Sequence, residues 1–153
     1  VSTSRMGGYG NPMELGIDTK VVLLLSGLIL LWALVLGIWK YQQMATSETA
    51  QAHAYVDIAH RAALMYSFAT LVLAALVQFS AWPAAVDLTA ALVVIAFFAG
   101  AIVGYVVHGI LRDTDNQFRH PVRGTHAFMV ALIVGEVGGL AVILAGFVKG
   151  QFL

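Results

Sequence analysis

Residues 21–39 read VVLLLSGLILLWALVLGIW, a run with no charged side chain. At 1.5 Å rise per residue, a helix of about 20 such residues crosses the roughly 30 Å hydrocarbon core of a bilayer. Three more runs of similar length follow, Ala62–Phe79, Leu88–Leu111 and Ala127–Val148. Four spans with short connections predict an all-α, polytopic membrane protein, a four-transmembrane-helix bundle. The first 20 residues, VSTSRMGGYGNPMELGIDTK, are polar and Gly-rich and read as an N-terminal tail, leaving 21–153 as a single transmembrane domain.

Composition points the same way. Hydrophobic residues make up 60% of the chain and charged residues 10%, against about 25% charged in soluble domains. The formal net charge is zero, so there is no basic footprint for nucleic acid. The chain has no cysteine, which excludes disulfides, thiolate metal sites, a thiol nucleophile and covalent haem attachment. Any metal or cofactor must be held non-covalently by His, Tyr, Asp or Glu. The first run is longer than a typical leader's apolar region, and Trp39-Lys40-Tyr41 follows it instead of a small-residue cleavage site. It is expected to stay in place as a span.

Basic residues set the expected orientation. Lys40 and Arg61 lie between the first two runs, and Arg112, Arg119 and Arg123 between the last two; Arg5, Lys20 and Lys149 lie on the other side. This bias predicts cytoplasmic 1–2 and 3–4 loops in a bacterial-type inner membrane, with both termini outside and Trp39, Tyr41 and Trp82 as interfacial anchors. The same side collects His53, Asp57, His60, His108, Asp113, Asp115, His120 and His126, so a site is expected to open there.

The second helix is expected to begin inside SETAQAHAYVDIAHR (Ser47–Arg61), with His53, Asp57, His60, Leu64 and Ser67 sharing one face. Asp57, one turn before His60, is placed to orient its imidazole. On the third helix Ala96, Gly100, Gly104 and His108 recur every four residues, with Tyr105 beside the ridge. The fourth carries Gly135 and Gly139 around Glu136. Either glycine pair suits close helix packing and could join copies of the chain into an oligomer. Glu136 lies roughly 15 Å beyond His126, near the bilayer centre, where an unpaired charge costs several kcal/mol. It reads as a functional acid or an interhelical hydrogen bond. The connection RDTDNQFRHPVRGTH (Arg112–His126) lacks a calcium-loop pattern, and its aspartates are expected to pair with its arginines.

If the second, third and fourth helices pack together, His60, Tyr66, Tyr105, His108, His126 and Glu136 can converge. Neutral imidazole is a good axial ligand for haem iron, and an apolar bundle can sleeve a porphyrin. His60 is the best single candidate ligand, and His60 with His108 or His126 would make a bis-histidine electron carrier.

The segment AHRAALMYS (Ala59–Ser67) resembles the start of the second helix in the small four-helix membrane isomerases typified by styrene oxide isomerase and hydroxylaminobenzene mutase. Those proteins carry an Ala-His pair, an Asn-Gly pair six and seven residues beyond the histidine, and a tyrosine on the third helix. Here His60 matches the histidine, Tyr66 and Ser67 fall at the Asn-Gly pair, and Tyr105 lands on the third-helix tyrosine without a gap. The four-helix plan matches throughout, and the specific part covers about a dozen residues. The resemblance implies a homotrimer with haem b near subunit interfaces and His60 as the axial iron ligand. It further implies that ferric iron acts as a Lewis acid on an epoxide oxygen, with Tyr105 bonding the substrate and Tyr66 in the asparagine's place. Tyrosine is bulkier than asparagine and lacks its amide carbonyl, which leaves the substrate open.

Two other readings compete with a haem b isomerase of small apolar substrates. One is a non-catalytic accessory subunit of a larger membrane complex; the other is a small b-type cytochrome. A small four-helix multidrug exporter is disfavoured, because the first run carries no acid.

Overall fold

The computed structural model describes residues 14–119, 121 and 123–153. His120 and Arg5 lie outside the described residues, as does most of the expected tail. Four helices are present among the described residues: α1 (Ile17–Thr46), α2 (Ala54–Gln78), α3 (Ala84–Leu111) and α4 (Thr125–Gln151). Each is long and apolar enough to cross a membrane. The protein is an all-α integral membrane protein of four spans. Large apolar side chains such as Leu24, Leu31, Met65, Phe68, Val134 and Val137 are exposed on its outside, where lipid takes the place of water.

Helix α1 begins four residues ahead of its apolar run, at Ile17. Helix α2 begins at Ala54, inside the expected segment and well ahead of its apolar run, with Ser47–His53 outside the helix. His53 supplies the cap: its Nδ1 accepts the Tyr55 N–H at 3.3 Å, satisfying one of the unpaired donors at a helix start. Helix α3 ends at Arg112, whose φ of 52° is the left-handed turn that stops a helix.

Helices α2 and α3 form the centre, with α1 and α4 on opposite flanks and not touching. Alanines line the central seams: Ala33, Ala59, Ala63 and Ala91 are fully buried and let backbones approach closely. Polar groups at this depth find carbonyls. Ser26 Oγ donates to the Ser67 carbonyl at 2.9 Å, and Thr70 Oγ1 to the Tyr66 carbonyl at 2.7 Å, as the lack of water in the bilayer requires.

The glycine ridge on α4 is used within the chain. A methyl group on Gly139 would meet Val94 Cγ2 at 2.6 Å and the Ala90 carbonyl oxygen at 2.9 Å, and one on Gly135 would strike the Phe97 ring. Gly100 faces Phe128, whereas Gly104 and Gly138 face open space. The Gly135/Gly139 pair therefore closes α4 onto α3 and is not free to join a second copy. The α2–α3 turn docks on the other end of α4, through Trp82 Nε1 donating to the Val142 carbonyl at 2.9 Å and Lys149 lying 4.6 Å over the Trp82 ring. Helix α4 is otherwise outward-facing, with only Ile143 and Gly146 buried.

Candidate functional site

His60 faces α1. Its Nδ1 lies 2.9 Å from the Ala33 carbonyl oxygen, so Nδ1 carries the proton and donates it. The ring edge rests on Gly37, where a methyl group would meet Cε1 at 2.9 Å. No hydrogen bond to Nε2 is present among the described residues. An imidazole anchored through Nδ1–H to a carbonyl, with Nε2 bare, is the form that ligates metals.

Asp57 does not set that orientation. Its carboxylate is held by Lys40 Nζ at 2.6 Å and by Arg61 Nε at 3.1 Å. The sequence predicted the acid one turn from His60; the long basic side chains on either side of it take both oxygens instead.

Tyr66 and Tyr105 belong to another face. Tyr66 stacks on Phe98 of α3, with ring centroids 4.2 Å apart and planes 8° from parallel. It lies within electrostatic reach of both Tyr105 and Glu136. Those three form a group on the α4 side of α2 and α3. No hydrogen bond or ring contact joins His60 to Tyr105 among the described residues. The expected single cluster is thus two half-sites in one chain, His60 toward α1 and the tyrosines with Glu136 toward α4.

Glu136 borders a cavity of about 410 Å³ between α2, α3 and α4, whose other walls are Ala69, Val72, Leu73, Val94, Phe98, Val137 and Leu140. Its Oε1 is buried and has no hydrogen-bond partner.

Of the other described histidines, His53 and His108 each pair with a loop aspartate. His108 Nδ1 meets Asp113 Oδ1 at 2.8 Å and His53 Nε2 meets Asp115 Oδ1 at 3.3 Å, so the loop aspartates pair with histidines and not with the arginines. The hydrogen bond from His108 holds the Asp113 carboxyl below its ordinary range. His126 lies beside Phe118 at 6.5 Å between centroids. Within one chain His60 therefore meets neither His108 nor His126, and no group of three or more His, Asp or Glu positioned for a metal occurs among the described residues.

Two features escaped the sequence reading. Tyr55 is 4% exposed and centres an aromatic cluster, 5.0 Å from His108, 6.1 Å from Tyr105 and 6.3 Å from His53. Its hydroxyl accepts the Gln117 N–H at 2.7 Å, fastening the α3–α4 loop. At the far end of the bundle Asp87 is buried beside Ser80 and within reach of Asp18, with Oδ1 unpaired. Asp87 lies in the first turn of α3, and nothing in its neighbours' identities signals burial.

No protein-family model matches the chain, and neither a characterised protein nor a solved structure matches it significantly.

Proposed function

We propose that this protein binds haem b through His60 Nε2 and isomerises a small apolar substrate, an epoxide to a carbonyl compound, in an inner membrane of bacterial type with the 1–2 and 3–4 loops cytoplasmic. The observation that carries the reading is the anchored imidazole: Nδ1–H on the Ala33 carbonyl, Nε2 free. That donor set fits an axial ligand, and the resemblance around Ala59–Ser67 and Tyr105 supplies the group. When bound, the iron supplies Lewis acidity toward the ring oxygen. Tyr105 donates a hydrogen bond to that oxygen, Tyr66 and Phe98 offer a flat apolar wall, and the dry surroundings keep water from trapping the opening ring.

His60 and the two tyrosines face different flanks, so one chain does not hold both halves of such a site. The reading therefore calls for a homo-oligomer, a ring of three copies in which the α1–α2 flank of one meets the α3–α4 flank of the next. The experiment is a mixing test with an aryl epoxide and aldehyde detection. Tyr105→Phe and His60→Ala should each be inactive alone, and co-expressed chains should regain activity in mixed trimers. Activity that survives in His60→Ala alone refutes the reading.

The accessory-subunit alternative draws on the outward-facing α4, which a different membrane protein could cover. It expects cofactor-free protein that co-purifies with another chain. The b-type cytochrome draws less support, because His108 pairs with Asp113 and no contact joins His60 to His108 or His126 among the described residues.

A further inference from the structure

We infer that the cavity bordered by Glu136 is a binding site for a lipid-soluble amine with a flat apolar body. Within one chain the site lies apart from His60, although it shares Phe98 with the substrate wall proposed above, and it stands whether or not the protein holds haem.

The cavity has one polar feature. Its walls from α2 and α3 are Ala69, Val72, Leu73, Val94 and Phe98, and Glu136 lines it from α4. One oxygen of that carboxyl, Oε1, is buried with no hydrogen-bond partner among the described residues, and a turn of the carboxyl brings it to the cavity. An acceptor left unpaired in an apolar surround is destabilising, more so if charged. No ion pair to Glu136 exists among the described residues to offset that cost. A ligand that brings an N–H donor removes the penalty, and a protonated amine also balances the charge. Shape selects the rest of the molecule. The Phe98 ring is fixed parallel to Tyr66 and presents a flat wall, and 410 Å³ is within the range of pockets that enclose small organic molecules. Entry is from the bilayer, because Val72 and Val137 at the rim are 56% and 65% exposed. A molecule that partitions into lipid reaches Glu136 without crossing water.

The test captures the amine where it sits. The detergent-purified protein is incubated with 1-naphthylmethylamine and then with dicyclohexylcarbodiimide, a lipid-soluble reagent. The carboxyl adds to the carbodiimide, the seated amine displaces the resulting urea, and an amide forms at Glu136. Trypsin releases residues 124–149, and mass spectrometry reads the adduct. The expected result is amide on that peptide, absent in Glu136→Gln. Yield should exceed that with methylamine at equal concentration by roughly tenfold or more, the scale of the apolar contacts. Ala69→Leu, which fills the cavity and keeps the acid, should lower the naphthyl yield to the methylamine level. Equal yields from the two amines would mean a merely reachable carboxyl and would overturn the proposal, as would a carbodiimide adduct without amide, or no modification of Glu136.

Discussion

Neighbouring glycines on α4 give the packing a matched test. Gly139→Ala puts a methyl group 2.6 Å from Val94 Cγ2 and 2.9 Å from the Ala90 carbonyl oxygen. The valine can turn, but the carbonyl belongs to the α3 backbone and cannot move without shifting the helix. Overpacking of this kind costs about 1–3 kcal/mol. Replacing glycine by alanine in a helix returns up to about 1 kcal/mol, so Gly139→Ala should lose about 0–2 kcal/mol. At Gly138 the same methyl meets nothing within 4 Å, and the helix gain stands alone. Gly138→Ala should match or exceed the parent. The assay is helix content by circular dichroism as SDS is added to mixed micelles, which gives an unfolding midpoint for each variant. Gly138→Ala should unfold at higher SDS than Gly139→Ala, by an amount worth about 1–3 kcal/mol. Equal midpoints, or the reverse order, would refute the use of the Gly135/Gly139 ridge inside the chain.

Tyr55→Phe removes the acceptor for the Gln117 amide. It should cost about 1 kcal/mol and speed hydrogen exchange at Gln117, with α1 unaffected. Asp87→Asn removes a buried acid that has no cation beside it and lies near Asp18; its melting temperature should equal or exceed the parent's, and a clear loss would show that the acid has a stabilising partner. The hydrogen bond from His108 holds the Asp113 carboxyl below the ordinary aspartate value of 3.8. A lowered acid contributes above its unfolded value and loses that contribution as pH falls through the folded one. Hydrogen-exchange protection in residues 112–116, taken against the intrinsic rate at each pH, should therefore hold at neutral pH and fall only below about pH 3.8, whereas in Asp113→Asn it should be low throughout.

The spans were legible because a run of about 20 apolar residues has few alternatives to crossing a membrane. The start of α2 within Ser47–Arg61 was legible too, but its position there was not: Ser47–Ala52 contains no glycine or proline, and the His53 ring caps the helix by accepting the Tyr55 amide. Glycine spacing was equally ambiguous: Gly100/Gly104 and Gly135/Gly139 both fit a four-residue ridge, and which one meets a neighbour depends on helix rotation. The separation of His60 from Tyr66 was readable. Six residues at about 100° each place the two side chains about 120° apart around α2, too far for one flank. The tie of Tyr55 to Gln117, 62 residues away, left no local trace in either segment.

An absorption spectrum of the detergent-purified protein reaches the proposal at its root. A Soret band in the parent and in His53→Ala, lost in His60→Ala with unchanged helix content, is the predicted result. A colourless, fully folded parent after expression with ample haem, or a band that His60→Ala retains, would contradict it.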